Sequence, residues 1–163
     1  MTNNVYDRGD KPRLSAAFTA GEVATDPTAV VLIIKLPSGA FESFLSDFGW
    51  SDQGNWNPAT NLPALADGAG TTGHYYTASA GGTVNLGHGS QTWVEGDLVA
   101  YDGDVWLRIP SPRVATLTKD GTGNYSFDYP IHIAGRHYYR FEGAGIVHAA
   151  KEQDFWVKSS SIR

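Results

Sequence analysis

Apolar and polar residues alternate in short runs along most of this chain. Behind the turn Asp120-Gly121-Thr122-Gly123, Tyr125, Phe127 and Tyr129 fall on one face of a strand, and Ser126 and Asp128 fall on the other. Arg13 to Thr19 repeats the pattern, with Leu14, Ala16 and Phe18 opposite Arg13, Ser15, Ala17 and Thr19. Ala29 to Leu36 is a continuous aliphatic run, which predicts a strand covered on both faces. Pro37-Ser38-Gly39 closes it. Phe41 to Phe48 fits a hairpin partner, or a helical turn with Phe41, Phe44, Leu45 and Phe48 on one side; the strand is preferred. Val114 to Thr118, Arg136 to Glu142 and Ile146 to Val157 complete the set, the last interrupted near Lys151-Glu152-Gln153. No long segment has a 3.6-residue period, so little helix is expected.

The stretch from Gly49 to Ile109 reads differently. It is turn-rich, with Trp50 and Trp56 in polar loops and two prolines in Asn57-Pro58-Ala59-Thr60-Asn61-Leu62-Pro63. Tyr75 to Ala78 is a short strand. Asp102-Gly103 is the strongest hairpin signal, joining Leu98 to Tyr101 with Val105 to Ile109. This stretch holds six acids, Asp52, Asp67, Glu95, Asp97, Asp102 and Asp104, against Arg108 alone. The whole chain has 17 acids, 12 Lys and Arg, and net charge −5, so the excess acid sits in the middle. Four of the five tryptophans are there as well. Such a composition shift marks a boundary.

An all-β chain in three segments follows. Residues 5–48 and 110–163 form the two halves of one β-sandwich, of about seven strands and about 100 residues, the size of an immunoglobulin-like domain. Residues 49–109 form a small all-β insertion domain, expected to project from one end or one edge of that sandwich.

Both parts carry a likeness. Val5-Tyr6-Asp7-Arg8-Gly9-Asp10, Leu14 to Thr19 and Asp26-Pro27-Thr28 resemble the opening of small immunoglobulin-like virion proteins of tailed bacteriophages. Asp120 to Tyr125 and Gly135 to Gly143 resemble the closing half of that family, whose halves usually run together. Asn55 to Pro63, Gly73 to Tyr76 and Trp93 to Trp106 resemble a module of phage tail-fibre and appendage proteins, and are distantly similar to small chitin- and cellulose-binding modules. The likeness implies a non-enzymatic structural protein: a head, neck or tail accessory or fibre-type component of the virion, assembled in the bacterial cytoplasm. The sandwich would mount on the particle and the insert would project for protein or cell-surface contact. The implied partners are other virion proteins in a homo-oligomer or symmetric multicopy assembly.

Candidate chemistry is sparse. There is no cysteine, hence no disulfide and no thiol nucleophile, and no Gly-x-Ser-x-Gly elbow appears. The five histidines, His74, His88, His132, His137 and His148, lack a compact ligand spacing. His132 and His137 flank a turn and are expected at the surface, with metal binding across a threefold axis as the alternative. Glu95 with Asp97, and Asp102 with Asp104, are spaced for solvated loops; calcium held by Asp102 and Asp104, or acid/base work on glycosides, are the other readings. No metal and no cofactor is therefore expected. The acidic balance argues against nucleic acid. No apolar run is long enough for membrane insertion, and Met1-Thr2-Asn3-Asn4 predicts no signal peptide.

The aromatic residues of the middle segment have two uses. A unit this small needs rings as core. Exposed rings beside Asp and Asn would bind a host glycan by stacking, or anchor a protein. Trp93 and Trp106 read as core. Trp50, Trp56, Tyr75, Tyr76 and Tyr101 are the candidate glycan or protein contacts, and a glycan-binding adhesion module is the alternative function.

Overall fold

A computed structural model describes residues 4–110, 112–147 and 151–159, with Lys151 as backbone alone. The strands are β1 (Val5–Tyr6), β2 (Arg13–Ala17), β3 (Thr19–Ala20), β4 (Val23–Ala24), β5 (Ala29–Lys35) and β6 (Phe41–Ser46). There follow β7 (Ser51–Trp56), β8 (His74–Ala78), β9 (Gly82–Asn85), β10 (Ser90–Trp93), β11 (Leu98–Tyr101) and β12 (Trp106–Ile109). The chain closes with β13 (Pro112–Ala115), β14 (Thr118–Gly121), β15 (Asn124–Asp128), β16 (Gly135–Ala144) and β17 (Lys151–Val157). The fold is all-β, with several mixed sheets, and no helix forms among the described residues. Phe41 to Ser46 is a strand and not a helical turn, because its residues pair across β5 from Lys35 to Val31.

The largest sheet has six strands in the order β1-β17-β16-β5-β6-β13. Its outer pairs, β1 with β17 and β13 with β6, are parallel; the rest are antiparallel. A second sheet has the order β14-β15-β2. Residues of both sheets share one apolar core: Leu14, Ala16 and Phe18 from the β2 side, Val30, Leu32 and Ile34 from β5, and Tyr125, Phe141 and Phe155 from the closing strands. The alternation of β2 is fully legible, with Leu14 and Ala16 buried between exposed neighbours. Asp26, from the Asp-Pro-Thr turn, joins this core to the Gly-rich turn before β15. Its carboxylate accepts from Gly123 N at 2.7 Å, from the Tyr125 hydroxyl at 3.1 Å and from Lys119 Nζ at 2.6 Å.

The middle segment builds a four-stranded sheet, β12-β11-β8-β7, and the hairpin β9–β10. It has a core of its own, around Trp56, Trp93, Val99, Tyr101 and Trp106. A third apolar cluster joins this unit to the six-stranded sheet. Val31 and Ile33 of β5 and Leu45 of β6 meet Leu98, Ala100 and Ile109 there, with Trp50 and Tyr75 packed against them. This corrects the expectation of an insert projecting from an end or an edge: one face of its sheet lies against the outer face of β5 and β6. The physical reason is in β5. Its run from Ala29 to Ile34 is buried on both faces, and the inner core covers only alternate residues. The insert covers the others.

The entry to the insert is tight. Gly49 has φ +77°, and a Cβ there would stand 1.9 Å from the Thr28 carbonyl oxygen. Trp50 Nε1 then donates to the Val30 carbonyl at 3.0 Å, and Gly145 N donates to the Asp102 carbonyl at 2.6 Å. The last predicted strand is shortened to β17, and the break expected near Lys151-Glu152-Gln153 is corrected, because these residues pair in unbroken register with Phe141, Arg140 and Tyr139. β16 runs on to Ala144, a bend follows at Gly145-Ile146, and β17 begins at Lys151; residues 148–150 of the predicted strand lie outside the described residues.

Candidate interaction surface

The five sequence-predicted contact residues do not converge on a surface. Trp56 and Tyr101 are core residues. The Trp56 ring meets Trp93 edge-on at 5.1 Å, and its Nε1 donates to Asn61 Oδ1 at 2.9 Å. Tyr101 packs on Trp106 at 5.0 Å, and its hydroxyl donates to the Asp104 carbonyl. Tyr76 is half-buried against the same core, 6.0 Å from Trp106. Trp50 and Tyr75 are half-buried in the seam with the six-stranded sheet. The expected exposure of Trp50 and Trp56 in loops is thus corrected. Both belong to the run around β7, whose alternation is hidden by Gly54 and by a register shift between Asp52 and Asn55. Trp93 and Trp106 are buried, as their setting in alternating strands predicts.

The candidate polar groups serve the fold. Asp97 is buried; its carboxylate pairs with Arg108 Nε at 2.7 Å and accepts from Val94 N. Asp102 Oδ1 accepts from the backbone of Asp104 and Val105, which closes the β11–β12 turn. Among the described residues, no group of three or more His, Cys, Asp or Glu stands together as a metal-ligand set. His132 is exposed, but His137 is fully buried, which corrects its expected surface role. It lies on the core face of β16, stacked on Phe155 at 4.8 Å, with Nδ1 at 3.2 Å from the Gly135 carbonyl. Burial pushes its pKa below the ordinary 6.5.

The exposed rings are elsewhere, on the outer face of the six-stranded sheet beside the insert. Trp156 is 49% exposed, Val5 46%, Phe41 40% and Tyr138 37%. Register places them in rows across the strands. Val5, Trp156 and Arg136 form the first row. Asp154, Tyr138, Lys35 and Phe41 form the second. Glu152, Arg140 and Ile33 form the third, and the insert begins at Ile33. The Arg136 guanidinium lies 5.0 Å from the Tyr138 ring centroid, and its Nε pairs with Asp154 at 2.7 Å. Arg140 pairs with Glu142 at 2.7 Å. A shallow cleft of about 470 Å³ runs between Phe41, Tyr138, Arg140 and Glu152.

Sequence reasoning missed this face because it sought rings where the composition was unusual. The available signal was Tyr138 itself. In Arg136 to Phe141, His137, Tyr139 and Phe141 take the core face, so Tyr138 is a ring among the polar positions of an alternating strand.

A face of rings rimmed by paired charges is chemistry for binding a folded surface. The rings supply contact area, and the charges set register. Comparison with protein-family models, with curated proteins and with solved structures finds no match to this chain.

Proposed function

We propose that the chain is a non-enzymatic structural component of a tailed-phage or phage-derived particle, built as an immunoglobulin-like sandwich with a small all-β insertion. The resemblance of its opening and closing segments supports this reading. Those segments fall on β2, β15 and β16, whose apolar faces meet in one core. The observation that carries the mode of binding is the outer face with Trp156, Tyr138, Phe41 and Val5 exposed beside the docked insert. The sandwich contacts a neighbouring protein of the particle, a second copy of the chain included, through this face. The insert turns the surface away from its seam toward another protein or the cell surface. Repetition around a symmetric particle makes weak single contacts effective. The glycan-binding alternative draws no support from Trp56 and Tyr101, whose rings have no free face.

The test is quantitative mass spectrometry of particles purified on a density gradient. The chain is expected at a fixed ratio to the major structural proteins across the particle peak. Its absence from that peak overturns the reading. Trp156→Ala is expected to lower its occupancy in the particle while leaving the melting temperature of the free chain unchanged.

A further inference from the structure

The open part of the β16–β17 face is complementary to itself. Three cross-strand pairs stand on it in order: Trp156 beside Arg136, Asp154 beside Tyr138, and Glu152 beside Arg140. Both carboxylates and the indole are on β17; both guanidinium groups and the phenol are on β16. Consider a second copy turned by a half rotation about an axis that runs along the strands between β16 and β17. Its β16 then lies over the first copy's β17, and row order is kept. Each Arg140 meets the other copy's Glu152, each Tyr138 hydroxyl meets the other copy's Asp154, and each Arg136 meets the other copy's Trp156. Every contact is favourable: ion pair, hydrogen bond to a carboxylate, and cation on a ring face. An axis across the strands at Tyr138 does the opposite and lays Arg136 on Arg140.

The insert packs on β5 and β6 and also reaches β16, where Gln91 and Thr92 stand beside Arg140 and Asp102 and His88 face Glu142. The cleft lined by Tyr138, Arg140 and Glu152 has no insert residue in its lining among the described residues, and the rotation carries the second insert to the other side of the axis. We propose that this face pairs two copies of the chain through an isologous interface with its axis along β16 and β17. The proposal rests on the reading of this face as a protein-contact surface, and it names the partner.

Sedimentation velocity on the full chain, over a concentration series, tests it. The wild-type chain is expected to reach the mass of two chains as concentration rises. Arg140→Glu alone, or Glu152→Arg alone, is expected to weaken pairing at least about a hundredfold, because each places like charges face to face twice. An equimolar mixture of these two variants is expected to pair again as a one-to-one complex. Within each variant chain positions 140 and 152 still carry like charges, so recovery on mixing reports a contact between chains and not a repaired fold. A wild-type chain that stays monomeric throughout overturns the pairing, and so does a mixture of folded variants that stays monomeric. If either variant fails to fold by circular dichroism, Trp156→Ala takes its place: loss of the dimer supports the interface, and an undiminished dimer overturns it. A monomer that is nevertheless present in purified particles overturns the pairing alone and leaves the structural role standing.

Discussion

His137 and Glu142 are ionisable groups whose charged forms burial disfavours. His137 is buried among Phe155 and Tyr129 with Nε2 unpartnered, so the neutral ring is favoured. Its depressed pKa means the fold binds fewer protons than the unfolded chain below pH 6.5. The stability it permits is complete above that pH and is lost as pH falls through the folded value. His137→Phe is expected to flatten the fall of melting temperature below pH 6.5; an unchanged slope would locate the acid sensitivity elsewhere. Glu142 has the opposite sign. Burial raises its pKa above the usual 4.5, with Arg140 opposing and Asp102 reinforcing the shift and His88 facing the group from the insert. Its stabilising contribution is full below pH 4.5 and is lost as pH rises through the folded value. Glu142→Gln keeps an acceptor for Arg140 and is expected to raise the melting temperature at neutral pH. A lower value would mean that the Arg140 pair outweighs the burial cost. Neither burial was legible in the sequence. His137 alternates with exposed arginine and tyrosine, yet its position beside a turn reads as surface. Glu142 is buried by residues far along the chain.

At the scale of the strand, the pattern spoke clearly wherever one face meets the core and the other meets water. β2 was legible for that reason, and so was the strand following Pro130 as far as Phe141; β15 was legible through Tyr125 and Phe127, although Ser126 on its other face is buried as well. β5 was also legible, as an aliphatic run, but its second cover was not. Ile109 shows what that cover is worth: it is fully buried in the seam between insert and sheet. Ile109→Ala is expected to cost about 2–5 kcal/mol in urea unfolding, the range for a large-to-small change in a packed core. A cost below about 1 kcal/mol, the scale of a typical surface change, would show that the seam is loose. β7 was missed because a glycine, a register shift and five exposed residues hide its alternation. Its last residue, Trp56, consequently looked like a surface ring.

Over the whole molecule, two units share a seam and should unfold together. Tryptophan fluorescence reports mostly on the insert, which holds four of the five tryptophans, while far-ultraviolet circular dichroism reports on every sheet. The two signals are expected to give coincident urea transitions. An earlier fluorescence transition would show an insert that opens by itself. From sequence alone, the all-β class and most strands facing the larger core were determined. They rest on local signals: side-chain period, turn residues and composition. The tertiary structure decided where the insert lies, which rings are spent as core and which face stays open. Those depend on which surface covers which, a relation between residues as distant as Val31 and Ile109. A period-two pattern records that a face is covered, and carries no record of what covers it.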